Sequence, residues 1–294
     1  MKKIAFIGLG TMGTPMAKRL LESGHKVKIF DISKEALSKF TEENVIISAS
    51  PEDACSEVDF CITMLPRSED VQEAILGSKG AKNTLKRKSL VIEMSTIYPE
   101  VTKNIHNELA SKDINMIDAP VGRTPREAAT GELLIIAGGN NENIKKAQPI
   151  LKLMGNDIVH VGEICSGIKM KLVNNYMSMV GMVMTAETIL FAKKAGIDEN
   201  KAVKIIQSTA AGKGQINVNF PKKVLAGDIS PDFPLSMGLK DISLALKLGE
   251  KNGLPLNLGR ISKEYFALAK KFNREDQDCT AMLHLIEEIN NLKE

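Results

Sequence analysis

The sequence predicts an α/β protein in which an N-terminal doubly wound sheet is followed by an all-helical C-terminal domain. Three observations support this fold class. Short apolar segments alternate with amphipathic helical segments up to residue 162, a glycine-rich turn joins the first strand to the first helix, and no strand pattern follows residue 162. A chain of 294 residues is also long enough for two domains. We therefore expect one domain at 1–162 and a second, helical domain at 163–294.

The sheet is expected to be mainly parallel, because its strands are apolar along their length, as strands covered by helices on both faces are. The predicted strands are residues 3–8, 26–30, 45–48, 59–66, 89–96, 114–120, 133–139 and 157–162. Predicted helices at 68–76, 99–110 and 141–154 separate several of them. Ligands of such sheets bind beyond the carboxyl ends of the strands. The candidate binding loops are therefore 8–13, Asp31, 65–66, 95–96 and 118–124.

The turn after the first strand reads GLGTMG over residues 8–13, which is the G-x-G-x-x-G pattern. It lies between a strand and a helix and has an acid, Asp31, about 20 residues further on, which is the context of a dinucleotide-binding Rossmann domain. Asp31 can accept hydrogen bonds from an adenosine ribose and would repel a 2′-phosphate, so we expect NAD(H) rather than NADP(H). A structural turn without a cofactor is the alternative. The residues expected to hold the pyrophosphate near the helix N-terminus are Gly8, Gly10, Thr11, Met12 and Gly13.

Composition describes an ordinary globular protein, with 43% hydrophobic and 26% charged residues. A net charge of +3 with scattered basic residues disfavours nucleic acid as a partner. We expect neither a signal peptide nor a membrane span, because glycines interrupt the first apolar run and Asn174, Asn175 and Glu187 interrupt the longest one. The four cysteines and four histidines show no metal-ligand spacing. A reduced, cytoplasmic protein without a metal is the expectation.

A long helix is predicted over 162–196, and its middle is apolar on nearly every face, which predicts burial. Near its start Lys171, Asn174, Asn175 and Ser178 lie within an arc of about 100° and form one polar stripe. Two interpretations are open. The lysine can extend to solvent from a helix end, or the stripe can face a cleft in which Lys171 transfers a proton and the other side chains hold a substrate.

Four motifs resemble the β-hydroxyacid dehydrogenase family, which includes 3-hydroxyisobutyrate dehydrogenase and tartronate semialdehyde reductase: GLGTMGTPMAKRL at 8–20, DAPVGRT at 118–124, GIKMKLVNN at 167–175 and LKD at 239–241. The resemblance implies an NAD(P)-dependent oxidoreductase whose helical domain packs over the nicotinamide. It places the catalytic lysine at Lys171 and its partner at Asn175. It also implies that the nicotinamide half of the cofactor lies along Met64, Leu65, Pro66 and Thr96, and that Lys240 lies near the cofactor.

One motif differs from the usual family pattern, in which Ser-Gly-Gly follows DAPV and holds a substrate carboxylate. This chain has Gly122, Arg123 and Thr124. A guanidinium brings five donors and a permanent charge, which suits an anion richer in acceptors, such as a sulfonate. The alternative is an arginine that forms a surface ion pair with Glu127 or Asp118.

The segments PVGRT, KLVNNYMS, TAAGKG and FPKKVLAGDISPDF resemble a branch of the family that acts on a sulfonated aldehyde from sulfosugar breakdown. That resemblance implies that Arg123, Asn174 and Ser178 hold the sulfonate, with Asn175 nearby. It implies NADH-dependent reduction of 3-sulfolactaldehyde to 2,3-dihydroxypropane-1-sulfonate. A carboxylate semialdehyde reductase and a non-catalytic NAD-binding module are the rival hypotheses. Family resemblance also leads us to expect a homodimer or homotetramer.

Overall fold

A computed structural model describes residues 2–292 of the chain. Its sheet contains nine strands in this part of the chain. They are β1 Lys3–Ile7, β2 Lys26–Phe30, β3 Val45–Ile47, β4 Phe60–Thr63, β5 Leu90–Glu93, β6 Asn115–Asp118, β7 Val121–Gly122, β8 Leu134–Gly138 and β9 Asp157–Gly162. The eight strands predicted from the sequence are all present. The added strand, β7, has only two residues, which is too short to produce a periodic pattern.

The strand order is β3-β2-β1-β4-β5-β6-β8-β7, with β9 paired to β8. The first six strands are parallel neighbours in the order of a doubly wound dinucleotide-binding sheet. Strand β8 runs antiparallel to β6 and β7, and parallel to β9. The predicted fold class is therefore confirmed, with an antiparallel extension at one edge.

The helices that cover the sheet are α1 Gly13–Glu22, α2 Lys34–Leu37, α3 Pro51–Cys55, α4 Ser68–Leu76, α5 Pro99–Ala110, α6 Pro125–Thr130 and α7 Asn141–Met154. The predicted bounds of α4, α5 and α7 agree with the structure. The next helices are α8 Ser166–Lys194, α9 Glu199–Ser208, α10 Ala210–Lys213, α11 Leu235–Lys251, α12 Asn257–Lys271 and α13 Met282–Ile289. Within the described residues, no strand of the sheet follows Gly162, as the sequence predicts.

Two apolar clusters pack against the two faces of the sheet. Along β1, Ile4 and Phe6 belong to one cluster and Ala5 and Ile7 to the other, because successive side chains of a strand point to opposite faces. All four side chains are almost completely buried. This burial on both faces explains why the strands are continuously apolar in the sequence.

The chain divides into two compact units, Met1–Met177 and Ser178–Glu294, and the division falls inside α8. The first unit contains the sheet. The second has a small helical core formed by Leu235, Ala269, Ala281 and Leu285. The limits 1–162 and 163–294 inferred from the sequence remain our proposal for the extent of the two domains.

Helix α8 has 29 residues and begins and ends close to the predicted limits. Its expected burial within the chain was wrong. Val173, Met182 and Met184 are 63%, 67% and 53% exposed, and other apolar side chains of the helix are similarly accessible. A helix that is apolar around its whole circumference needs covering on every side, and the single chain does not supply it. No helix between residues 2 and 292 is both long and apolar enough to cross a bilayer.

Candidate active site

The glycine-rich turn between β1 and α1 depends on close backbone packing. Gly8 has φ +97° and donates a hydrogen bond from its N–H to Phe30 O at 3.0 Å. A Cβ added at Gly8 would lie 2.3 Å from Met64 O, and one added at Gly13 would lie 1.9 Å from Gly8 O. Larger residues at these two positions would therefore push apart β1, β4 and α1.

Gly10 differs from these two glycines. It is exposed, and no atom lies within 4 Å of the position that its Cβ would take. The fold therefore does not require a glycine at this position. A ligand that approaches the backbone closely would require one, because a side chain would stand in its way. The first N–H groups of α1 lack intrahelical partners and favour an anion at the same place.

Asp31 follows β2 and connects two loops. Its Oδ2 accepts a hydrogen bond from Leu9 N at 2.6 Å, and its Oδ1 accepts one from Ser33 N at 2.7 Å. Each carboxylate oxygen has a second lone pair, so Asp31 can still accept hydrogen bonds from a ribose. The carboxylate thus helps to shape the glycine-rich turn in addition to the role expected from the sequence.

A cavity of about 720 Å³ lies along this turn. Its volume is within the usual range of about 300–1,000 Å³ for ligand sites. The cavity brings together nine residues that the sequence predicts as cofactor ligands: Gly8, Gly10, Thr11, Met12, Gly13, Asp31, Met64, Leu65 and Pro66. An open glycine, a helix N-terminus and an acid in one cavity fit the pyrophosphate and ribose of a dinucleotide.

Two other predicted cofactor residues are not in the lining of this cavity. Thr96 is exposed in the loop after β5. Lys240 is exposed on α11 in the second unit and forms an ion pair with Asp241 at 2.9 Å. Their assignment remains a prediction.

Ile32, Arg67 and Asp70 are among the lining residues that sequence reasoning missed. Ile32 is 94% exposed, and an apolar side chain that is solvated directly after Asp31 is suited to cover a flat ring. Arg67 and Asp70 form a bidentate pair at 2.8 and 2.9 Å. The positions of Ile32 and Arg67, next to predicted ligands, were the only sequence signal.

Lys171 is partly buried on α8, and its Nζ has no hydrogen bond or ion pair within residues 2–292. Burial lowers its pKa from the ordinary lysine value. Asn174 and Asn175 follow on the same helix, where Asn174 Nδ2 donates to Asn175 Oδ1 at 3.4 Å. Ser178 is exposed at the start of the second unit. An unpaired, partly desolvated lysine is suited to proton transfer.

Arg123 has φ +74°, a left-handed conformation that favours glycine. Its guanidinium donates to Glu132 O and to Asn156 Oδ1, the latter at 2.7 Å, and lies 3.5 Å from Asp157 Oδ2. The sequence alternative named Glu127 or Asp118 as the partner, and the structure shows Asp157 in their place.

The neighbours of Arg123 shape the same loop. Thr124 and Glu127 form a reciprocal capping box at the start of α6. Gly122 lies in β7, where an added Cβ would be 3.2 Å from Leu134 Cδ2. The assignment of Gly122, Arg123 and Thr124 to substrate binding remains a prediction.

Two buried carboxyl groups lie next to each other at the carboxyl ends of β5 and β6, where Glu93 and Asp118 are register partners. Burial raises the pKa of Glu93 to about 8, and the nearby Asp118 also raises it. Ser95 N donates to Glu93 Oε1 at 2.7 Å, while Oε2 has no hydrogen-bond partner within the described residues. Glu93 is therefore protonated at neutral pH, since two adjacent buried carboxylates cannot both be charged at low cost.

A doubly wound sheet with this cavity and a helical second unit defines an NAD-dependent oxidoreductase. Comparison with known proteins leads to the same class. A family model for the NAD binding domain of 6-phosphogluconate dehydrogenase matches residues 3–162. A model described as NAD-binding of NADP-dependent 3-hydroxyisobutyrate dehydrogenase matches residues 165–286.

The chain is 39% identical over 286 residues to 3-sulfolactaldehyde reductase of Escherichia coli K12, covering 97% of this chain and 96% of the relative. It is 30% identical to 3-hydroxyisobutyrate dehydrogenase of Pseudomonas aeruginosa, covering 94% and 95%. The solved 3-hydroxyisobutyrate dehydrogenase of Mycobacterium tuberculosis superimposes with a TM-score of 0.67 at 28% identity, covering 97% and 99%. The chain belongs to the 3-hydroxyisobutyrate dehydrogenase family of NAD-dependent hydroxyacid dehydrogenases, which confirms the resemblance seen in its motifs.

The glycines of the turn provide a first prediction. Gly13→Ala should lower both stability and NADH affinity, because the new methyl group would overlap Gly8 O. Gly10→Ala should leave the melting temperature unchanged and weaken NADH binding alone, because its methyl group meets only the ligand. Thermal unfolding and NADH titration measure the two effects. Equal loss of stability in both variants would contradict this division of roles.

Glu93 provides a second prediction. The folded chain retains the proton of Glu93 up to about pH 8, whereas the unfolded chain loses it near 4.5. The free energy of unfolding should therefore fall as the pH rises through this window. Glu93→Gln imitates the protonated side chain and should make that decrease smaller. Urea unfolding at several pH values between about 5 and 8 measures the free energy of unfolding of the wild type and of Glu93→Gln. If this free energy depends on pH in the same way in both proteins, Glu93 is not protonated in the folded chain.

Proposed function

We propose that this enzyme reduces 3-sulfolactaldehyde to 2,3-dihydroxypropane-1-sulfonate with NADH. The main observation is Arg123, an arginine with φ +74° at a position where the usual family pattern has glycine. A left-handed conformation costs a residue with a side chain about 1–2 kcal/mol, and such strain is concentrated at functional sites. The 39% identity to 3-sulfolactaldehyde reductase over nearly the whole chain supports the same substrate.

In this proposal the guanidinium of Arg123 exchanges Asp157 for the sulfonate of the substrate. Both members of the Arg123–Asp157 pair are partly exposed, at 38% and 52%. Pairs of this kind contribute only about 0–1 kcal/mol, so the pair can be given up at little cost. Asn174 and Ser178 add neutral donors to the sulfonate, and Gly122 and Thr124 keep the loop in place.

When NADH is held in the cavity at the glycine-rich turn, it would supply the hydride for the aldehyde carbon. Lys171 as an ammonium donates a proton to the aldehyde oxygen, so that the aldehyde gains one hydride and one proton and becomes an alcohol. The lowered pKa of Lys171 makes the ammonium a stronger acid than an ordinary lysine. Asn175, one turn further along α8, orients the lysine and the substrate oxygen.

The main alternative is a reductase of a carboxylate semialdehyde. The observation in its favour is that Arg123 is already bound to Asn156 and Asp157. If the guanidinium remains there, the loop presents no permanent charge to the substrate. A non-catalytic NAD-binding module is the other alternative, and an unpaired, partly buried Lys171 with a lowered pKa disfavours it, since such a group is suited to proton transfer.

A substrate panel distinguishes these proposals. The purified protein is assayed with 3-sulfolactaldehyde and with succinic, malonic and tartronic semialdehydes, each with NADH and with NADPH. We expect the highest kcat/KM for 3-sulfolactaldehyde with NADH, because Asp31 disfavours a 2′-phosphate. A higher value for any carboxylate would select the main alternative, and no oxidation of either cofactor would select the binding module.

Lys171 provides the third prediction. Lys171→Ala should lower kcat by about 10²- to 10⁴-fold, as expected for a positioned general acid, with NADH affinity unchanged. In the wild-type enzyme, reduction should decline with rising pH from a lower pH than an ordinary lysine would give, because only the ammonium donates. Steady-state rates across pH and NADH titration test this. Near-normal turnover by Lys171→Ala would eliminate the proposed proton donor.

Arg123 provides the fourth prediction. A hydrogen bond to a charged group contributes about 1.5–3 kcal/mol, so Arg123→Gly should reduce kcat/KM for 3-sulfolactaldehyde by about 10- to 150-fold. For carboxylate semialdehydes, kcat/KM should fall much less. The matched control is Arg126→Gly, which removes the same charge from an exposed position on α6. It should leave kcat/KM unchanged for both 3-sulfolactaldehyde and the carboxylate semialdehydes. Equal losses on both substrates after Arg123→Gly would mean that Arg123 supports the loop.

We also propose that the chain forms a homodimer or homotetramer through α8. Its exposed apolar side chains lie on one continuous helix, and a large accessible apolar surface of this kind is typical of an interface. Met182→Lys should shift the mass in light scattering toward the monomer. Leu225→Lys, at an exposed apolar position outside α8, is the control. A wild-type protein that is monomeric would contradict the proposal.

We place the enzyme in the cytoplasm. Its four cysteines are free, and Cys55 Sγ lies 3.4 Å from Cys61 Sγ without a bond between them. Close thiol pairs stay reduced in a reducing compartment, and cell fractionation tests this location.

A further inference from the structure

Asp118, the last residue of β6, binds the beginning of the helix that contains Lys171. Its Oδ1 accepts a hydrogen bond from Cys165 N at 2.7 Å, and its Oδ2 accepts one from Ile168 N at 2.7 Å. Both donors are at the N-terminus of α8, where N–H groups have no partner within the helix. The carboxylate therefore caps α8 from a neighbouring strand, 47 and 50 residues away in the sequence.

The surrounding backbone leaves room for this carboxylate. A Cβ added at Gly138 would lie 2.6 Å from Asp118 Oδ1, and one added at Gly167 would lie 2.9 Å from Asp118 Oδ2. Cys165 has φ +74°, which is unfavourable for a residue with a side chain. The hydrogen bond from its N–H to Asp118 helps to hold this strained residue in place.

The charge distribution points to the same contact. Asp118 is fully buried, which raises its pKa, while hydrogen bonds from the backbone N–H groups of Ile168 and Cys165 act to lower it. Both oxygens of Asp118 accept hydrogen bonds from backbone N–H groups, as an ionised carboxylate does, while its neighbour Glu93 is protonated at neutral pH. The pair therefore has a single negative charge. The positive end of the α8 dipole is the natural counterpart of that charge.

We infer that Asp118 is the positioning residue for Lys171. Lys171 follows Ile168 by three residues, which is less than one turn and about 4.5 Å along the helix axis. A carboxylate that fixes the N–H groups of Cys165 and Ile168 therefore fixes the position of Lys171 along the axis of α8 and its direction around that axis. This inference rests on the proposed function, in which Lys171 donates the proton, and it adds a residue that does not touch the substrate.

The test is a double-mutant cycle between Asp118 and Lys171. Asp118→Asn retains the size of the side chain but replaces one acceptor by a donor that faces an N–H group. Misplacing a reacting group by about 1 Å can cost about 100-fold in rate, so we expect Asp118→Asn to lower kcat by about 10- to 100-fold. NADH affinity should not change, because the cofactor cavity lies at β1, β2 and β4.

In the Lys171→Ala background, Asp118→Asn should have no further effect on kcat, because the lysine through which Asp118 acts is absent. A purely structural role would reduce kcat by the same factor in both backgrounds, and this result would overturn the inference. Unchanged kcat in Asp118→Asn alone would also overturn it.

A matched control uses Asp278, a second buried carboxylate, which accepts hydrogen bonds from Thr280 N at 3.0 Å and Phe233 N at 3.2 Å. Asp278→Asn should destabilise the fold in a similar way and leave kcat per folded molecule unchanged.

Amide hydrogen exchange gives a readout that does not depend on turnover. In the wild-type protein the amides of Cys165 and Ile168 should exchange among the slowest, and in Asp118→Asn they should exchange faster than the amides of β1. Rapid exchange of these two amides in the wild type would refute the contact even if the variant does not fold. If Lys171→Ala retains activity, the proposed function fails, and the exchange data still decide whether Asp118 anchors α8.

Discussion

The sheet imposes one constraint from which the rest of the site follows. Helices cover both faces of a mainly parallel sheet, so polar groups of the strands can reach a ligand only at the carboxyl edge. The glycine-rich turn, Asp31 and the 64–66 loop all leave the sheet at this edge. Close packing of Gly8 against Met64 O and of Gly13 against Gly8 O keeps this edge compact. The cofactor cavity is therefore a result of how tightly three backbone segments approach one another.

The carboxyl edge of the sheet also contains a row of buried polar side chains. Thr63, Glu93 and Asp118 are register neighbours on β4, β5 and β6, at the level where each strand ends. A charged group at this depth needs a partner, and the N-terminus of α8 is available to only one of the two carboxyl groups. Asp118 takes the charge and Glu93 retains its proton. The arrangement links the end of the sheet to the helix that contains Lys171.

Two residues with side chains adopt left-handed backbone conformations at functionally interesting positions, Arg123 and Cys165. Cys165 is held by Asp118, and Arg123 is held by Asn156, Asp157 and the carbonyl of Glu132. Strain of this kind persists only where surrounding contacts determine the conformation. For Cys165 the consequence is a fixed helix start. For Arg123 the consequence is a guanidinium fixed beside Asn156 and Asp157, and its contact with Asp157 is partly exposed.

Local patterns in the sequence were sufficient for much of the fold. The G-x-G-x-x-G turn, the apolar strands and the limits of α4, α5 and α7 follow from chain periodicity and backbone freedom, and both act over a few residues. Nine cofactor candidates line one cavity for the same reason, because the motif and the strand ends specify where the chain turns. The two-residue strand β7 left no such pattern, because two residues cannot establish a period.

Other properties required the tertiary structure, because they depend on residues far apart in the sequence. Asp157 as the partner of Arg123 lies 34 residues away, and the contact from Asp118 to Ile168 spans 50. The proton on Glu93 reflects complete burial beside Asp118, which no local pattern shows. The sequence also could not predict the exposure of α8. An apolar sequence indicates that a helix needs to be covered, but it does not indicate whether the same chain supplies the covering residues. Composition and periodicity determine local conformation and the need for burial, while the long-range packing decides which groups meet and which of them is charged.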